Sequence, residues 1–465
     1  MSLSSSTPKF RVAICGAGIG GLVLAITIGK FAGHSIHIDL YEAHEAITTA
    51  GAGVGISPRT LEVIKELGIY EEYSRVANKP SSSSLGPTLR RSNAPQGGVE
   101  WFRQKLTNAP SHIHRQHLVE ILEQFLPSSC TLHFKKRLTR YDEQPSGSLI
   151  LHFADDGTAT TDLLIGADGI RSSARKTLFE TLNRDVVDPT KIGHYIDPSW
   201  TGTLVYRAII PAKKVSEIDP NNIALKDFTV FCGMGKNIIT YPVAQGTQIN
   251  VAAFVRDDQK AGTPFEGHWV TDVSCKELQE LYQDFEPDVR NLLKCSETTS
   301  RWALHVVNEL PLSANGRVAL IGDACHAMTP YFGAGAGQAM EDAFVLGRLL
   351  AHPLTTLDNV PAALKAYQDV RLPFVQFLAR ESQRAGHMVD IEPPSTDEDN
   401  AHVQANLDTQ KEKVLAQFDW ASKGGAVAEW LEAERKFQES IGLTDGQYEN
   451  GCIVDVVRTL SALNV

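Results

Sequence analysis

Gly16-Ala17-Gly18-Ile19-Gly20-Gly21 is a G-x-G-x-x-G run between a short apolar stretch, Phe10 to Cys15, and a stretch with helical character, Gly21 to Lys30. Small residues at such a junction permit a tight turn and let backbone N–H groups approach a pyrophosphate at the helix N-terminus. Glu42 ends a second strand-like segment, Ser35 to Tyr41, where a carboxylate can accept hydrogen bonds from both ribose hydroxyls of an adenosine. The glycines alone would also suit a structural turn, and the acid at this distance is what points to dinucleotide binding.

Two later segments carry the same kind of signal. Leu163 to Arg175 reads L-L-I-G-A-D-G-I-R-S-S-A-R, an apolar strand ending in Gly166, Asp168 and Gly169, with Ser172 and Arg175 beyond. Read alone, it would also be an ordinary strand, turn and helix cap. Ala319 to Asp342 is a further strand ending in Gly322-Asp323 before the glycine-dense Pro330-Tyr331-Phe332-Gly333-Ala334-Gly335-Ala336-Gly337. Asp323 could hold a sugar-alcohol hydroxyl, and the N–H groups near Gly335 could face an anionic ring or a phosphate.

The elements that must position these residues begin with a strand, glycine turn, helix and strand, a βαβ unit that places two parallel strands in one sheet. Pro80 to Gly98 is rich in Ser, Pro, Gly and Asn and is expected to be a loop crossing between layers. A helix near Gln116 to Phe125 and strands near Thr131 to Arg137 and Ser148 to Phe153 follow. Strand-like segments at Thr203 to Ile210, Phe228 to Cys232, Ile238 to Pro242 and Gln248 to Val255 suggest a mainly β domain inserted into the first. Strand character returns at Arg317 to Ile321, then a helix at Gln338 to Leu350, and beyond about Ser395 the tail is expected to be helical and peripheral. The expected fold is thus α/β: a Rossmann-like domain in three parts (1–80, 111–190 and 312–390), a crossing segment (81–110) and a β-sheet domain (191–311) between them, and a helical C-terminal region (391–465).

In that order and at those separations, the three segments resemble the single-component FAD-dependent aromatic hydroxylases, the para-hydroxybenzoate hydroxylase group and within it the salicylate hydroxylase-like enzymes, over roughly 9–386. The resemblance implies that Gly16, Gly18, Gly21 and Glu42 hold the ADP half of FAD, that Asp168 and Gly169 serve both FAD and the nicotinamide, and that Asp323 contacts the ribityl chain. It places Arg115 near the ribityl and phosphate region, Gly51, Gly53 and Gly55 in a second flavin-facing loop, and Gly333 to Gly337, with Gly335 and Ala336, beneath the isoalloxazine. It further implies NADH or NADPH as co-substrate, O2, a flavin C4a-hydroperoxide, and oxygen transfer to a phenolic or hydroxybenzoate-type ring, with loss of carbon dioxide where the attacked carbon bears a carboxylate. No second NAD-type fingerprint is present, which suits a nicotinamide that visits transiently.

Arg207, in V-Y-R-A-I-I, and Tyr241, in I-I-T-Y-P-V, lie on segments that resemble the family's substrate-facing sheet and are the candidates for stabilising a phenolate. The competing reading is a pair of sheet-edge residues. Many relatives carry a histidine four residues before the Tyr-Pro pair, where this chain has Asn237, so no base is named. Pro330 is followed by Tyr331 and Phe332 instead of polar residues, which predicts a substrate more apolar or larger than salicylate. His326 is expected to be a structural part of its turn.

Composition limits the alternatives. With 465 residues, 44 basic and 55 acidic side chains and a net charge of -11, the chain lacks the basic face that nucleic acid or anionic membranes attract. Its seven cysteines are odd in number and contain no C-x-x-C pair, and His112, His114 and His117 have no partners at metal-ligand spacing. Met1 to Lys9 is polar and no segment approaches a membrane span, so a cytoplasmic enzyme is expected, its oligomeric state open. Two rivals share the flavin segments: an epoxidase acting on an alkene, and a non-enzymatic escort protein that has kept the fold and lost the flavin.

Overall fold

The computed structural model describes residues 8–47, 53–77, 85–93, 97–105, 110–391, 400–417 and 419–443. Gly51, the Ser81 to Ser84 run and Cys452 therefore lie outside the described residues.

Phe10–Cys15 buries all but one of its residues because it has a strand on either side, helices over one face, and a small three-stranded sheet with the Ser173–Thr181 helix over the other. It pairs in parallel with Ile36–Tyr41 and with Leu163–Gly166, which in turn pairs in parallel with Val318–Leu320. Cys130–His133 and the short Ala314–Asn315 complete a six-stranded sheet. The Ile19–Ala32 and Gly335–Ala351 helices lie against each other over this sheet, closely enough that a Cβ on Gly347 would stand 2.7 Å from the Thr27 side chain. The three chemistry-bearing turns all leave the C-terminal ends of adjacent parallel strands, the edge at which open α/β sheets bind ligands.

A second, eight-stranded sheet runs in the order Val270–Val273, Thr299–Val306, Ser199–Pro211, Gln248–Arg256, Lys236–Val243, Thr229–Gly233, Leu85–Arg91, Val99–Lys105. Gly53–Ile56 and Ser111–His114 form a two-stranded ribbon between the sheets. No helix among the described residues is long and apolar enough to cross a membrane.

Two expectations are corrected. The Pro80 to Gly98 stretch is not simply a loop, because Leu85–Arg91 within it is a strand paired in parallel with Thr229–Gly233. Gly86 and Pro87 disguise it locally, and Pro87 is tolerated because it falls in the register break between Leu85 and Thr88. The tail, in turn, is helical but not peripheral. Ala426–Ser440 buries Ala426, Trp430, Ala433 and Phe437 in the core of the first sheet. On the same helix, Glu429 pairs with both Arg59 and Arg371, two buried guanidiniums. The C-terminal region thus supplies part of the wall behind the glycine-rich turn.

Candidate active site

The first glycine turn is built by close backbone approach. Gly16 has φ of +110°, and a Cβ there would fall 2.2 Å from the carbonyl oxygen of Ala167. A Cβ on Gly21 would fall 1.9 Å from the oxygen of Gly16, whereas nothing lies within 4 Å of one on Gly18. Two glycines therefore close the turn and the third leaves space beside it. Glu42 stands at its lip, accepting from the Ala17 N–H at 3.1 Å and the His44 N–H at 2.9 Å.

Asp168 has a duty of its own. Its carboxylate accepts from the N–H groups of Ser173 (2.8 Å) and Ala174 (3.1 Å) and from the Ser172 hydroxyl, capping the Ser173–Thr181 helix. Burial pushes its carboxyl pKa up, against those hydrogen bonds. Gly169, with φ of +76° and open space around its α-carbon, is the freer of the pair.

Gly53, Arg115, Arg207, Tyr241, Asp323, Pro330, Tyr331, Phe332, Gly335 and Ala336 all line one cavity of about 330 Å³ between the two sheets. Gly16, Gly18, Gly21, Glu42, Asp168 and Gly169 do not line it. They lie at the C-terminal ends of the parallel strands, and the Ile19–Ala32 helix links them to the cavity through its contact with the Gly335–Ala351 helix: a Cβ on Gly20 would sit 3.3 Å from that of Ala339.

The pocket's floor begins at Pro330–Phe332, turns at Gly333 (φ of +61°) and enters the Gly335–Ala351 helix. Ala334 offers no side-chain cap, so the first-turn N–H groups of that helix are left for something else to satisfy. Arg115 has a buried Nε without a partner, and the exposed Asp323 carboxylate has none among the described residues. An open cradle at Gly18, unsatisfied N–H groups at a helix start, an orphaned guanidinium nitrogen and a free carboxylate together fit the phosphate, ring and ribityl parts of FAD.

At the far wall, Arg207 and Tyr241 face the cavity from neighbouring parts of the large sheet. Arg207 has no carboxylate partner among the described residues; its guanidinium lies 5.4 Å from the centre of the Trp302 ring. Burial pulls its pKa down, with the nearby Arg115 adding to the effect. Burial likewise pushes the Tyr241 hydroxyl up to about 12, with Arg207 acting in the opposite sense. The Tyr241 ring is wedged beside Gly53, where a Cβ would fall 2.5 Å from its hydroxyl. It also stacks on His112 at 4.7 Å and meets Phe228 at 5.5 Å.

His112, Phe228 and Trp420 line the pocket but were not singled out as site residues from sequence. Only His112 left a trace, as one of three histidines near Arg115. Asn237 is buried, with its side chain beside the Tyr331 hydroxyl, and it is not among the lining residues. His326 is structural as expected: its Nε2 lies 2.6 Å from the buried Asp342. Burial pushes the Asp342 carboxyl up, but His326 and Arg371 outweigh it and hold the pKa at about 2.

Residues 9–382 match the family described as FAD binding domain, to which the chain belongs, and its relatives make it a flavoprotein monooxygenase of the salicylate hydroxylase-like type. It is 33% identical to a salicylate hydroxylase of Pseudomonas putida over 460 residues, covering 96% of this chain and 99% of that one. It is 32% identical to the 6-methylsalicylate 1-monooxygenase atA of Aspergillus terreus, covering 81% of this chain and 82% of that one. Among solved structures it resembles a salicylate hydroxylase substrate complex, with a TM-score of 0.77 and 30% identity over 92% of this chain and 98% of that one.

Proposed function

We propose that this protein hydroxylates a phenolic or hydroxybenzoate-type aromatic, using FAD, NADH or NADPH, and O2. The observation that carries the proposal is the Arg207 guanidinium, half-buried with no counter-charge among the described residues and facing a largely apolar cavity whose floor is the Gly333 to Gly337 turn. An unpaired cation in such a place, with Arg115 nearby, is unfavourable until an anionic group joins it, and a carboxylate or phenolate on a flat ring supplies that group. The curated relatives named for salicylate and 6-methylsalicylate support the same substrate class.

FAD, once bound and reduced by the nicotinamide, would activate O2 and supply the oxygen atom. The chain's own residues do the rest. Gly16, Gly18, Gly21 and Glu42 would take the adenosine and pyrophosphate, Gly169 the neighbouring stretch with Asp168 holding its turn, and Asp323 and Arg115 the ribityl and phosphate region. Gly53, Gly335 and Ala336 would line the ring. Arg207 favours the anionic form of the substrate, raising the electron density of the ring to be attacked. Tyr241, Phe228 and Trp420 shut water out around it. Whether carbon dioxide leaves is set by the substrate, according to whether the attacked carbon carries a carboxylate.

Tyr331 and Phe332 make the pocket aromatic where Pro330 turns. The Tyr331 ring lies against Phe254 at 4.7 Å, and its buried hydroxyl faces the Asn237 side chain. On this reading alkylated phenolic acids are turned over better than salicylate itself. The test is NADH and NADPH oxidation with a panel of salicylate, alkyl-substituted salicylates, 4-hydroxybenzoate and simple phenols, with product analysis. Stimulation by an aromatic with a hydroxylated product supports the function; a clear preference for unsubstituted salicylate would remove the expectation about size.

A further inference from the structure

We propose that His112 sets specificity for the substrate's ring hydroxyl, accepting a hydrogen bond from it through an imidazole nitrogen. This rests on the aromatic-hydroxylase reading above. His112 stands opposite Gly55 in the two-stranded ribbon, three residues before Arg115, and lines the same cavity as Arg207 and Tyr241. Its plane is fixed by two rings: Tyr241 stacks on it at 4.7 Å and 29°, and Phe228 meets it edge-on at 5.8 Å and 88°. No described residue hydrogen-bonds to the half-buried imidazole, which lines the cavity.

The chemistry of the other lining groups decides what His112 can contribute. Arg115 and Arg207 only donate, so they serve the substrate's negative charge and cannot receive an O–H. Gln338 is engaged with Arg371 and Glu341, and Thr329 with Ser382. Burial pulls the imidazole pKa down to about 4, which leaves it uncharged with a lone pair to offer at neutral pH. Asn250, opposite Tyr241 on the adjoining strand, is the other amide on this wall, but it lacks the stacked rings that fix a direction. A rigid acceptor beside the two cations, Arg115 and Arg207, reads two features of one ring, its hydroxyl and its acid.

The experiment uses the FAD-loaded protein and paired probes that differ by one methyl: salicylate against 2-methoxybenzoate, and 4-hydroxybenzoate against 4-methoxybenzoate. Dissociation constants come from flavin fluorescence, after flavin content is checked. In the unaltered protein the hydroxyl probe of one pair binds better, and in His112→Phe, which keeps the stacking, that preference falls by about 10-fold while the methoxy probe binds as before. His112→Asn, which keeps an acceptor, retains part of it. Should the phenylalanine variant fail to load FAD, His112→Leu carries the same comparison. An unchanged preference in these variants overturns the role of His112 while leaving the hydroxylase reading intact. An unaltered protein that shows neither the preference nor aromatic-stimulated nicotinamide oxidation overturns both.

Discussion

Replacing Arg207 with methionine should stabilise the protein and weaken its hold on anionic aromatics at the same time. The guanidinium faces the cavity, burial depresses its pKa, and no carboxylate among the described residues offsets it. Removing an uncompensated, half-buried charge while keeping a flexible apolar stem should gain about 1–2 kcal/mol. For a chain of 465 residues that is a rise in Tm of about 1–2 °C. In the complex the same guanidinium makes charge-assisted hydrogen bonds worth about 1.5–3 kcal/mol, so the Kd for salicylate should rise about 10- to 150-fold. Thermal melts of FAD-loaded protein without aromatic ligand give the first quantity and flavin fluorescence titration the second. A lower Tm with an unchanged Kd would refute the reasoning, because Arg207 would then be a structural residue of the sheet.

Gly16→Ala forces a side chain onto a backbone at φ of +110° and into the Ala167 carbonyl. The strained φ alone costs about 1–3 kcal/mol, and the variant is expected to purify with little or no flavin, as absorbance will report. Glu429→Ala leaves Arg59 and Arg371 with one fewer carboxylate each in the core and should lower stability by about 3 kcal/mol in urea, although Glu429 lies outside the cavity. Asp342 has a folded pKa near 2, below the unfolded value of about 3.9. It therefore contributes stability above about pH 4 that is lost as pH falls toward 2, about 2.5 kcal/mol in all. Asp342→Asn should lower the urea midpoint at pH 7 and flatten its decline in acid.

The parallel sheet and its three turns were legible because each is a local pattern: an apolar run, then glycine and an acid at the strand's end. Phe10–Cys15 falls where the periodicity puts it, and the helix after the glycine run begins three residues earlier than expected, since Gly335 itself opens it. The strand at Leu85–Arg91 was hidden because its partner is Thr229–Gly233, far along the chain, and its own Gly-Pro pair argues for a loop. The burial of the C-terminal helix escaped notice for a similar reason: Glu429 gains its meaning only beside Arg59 and Arg371. The far wall of the pocket shows the same limit. Arg207 and Tyr241 were found through family resemblance, whereas His112 needed the ribbon that brings it onto Tyr241. Asp168 shows how one residue can carry two readings, for the cap that its sequence also suggested is present in full.

The most direct test of the account is to run the purified, FAD-loaded protein with NADH or NADPH and its best aromatic under isotopically heavy O2, and to weigh the product. The account predicts one heavy oxygen atom on the ring, with nicotinamide oxidation that rises with the aromatic. Nicotinamide oxidation that yields only hydrogen peroxide for every aromatic tried, or a protein that cannot be loaded with FAD, would contradict it.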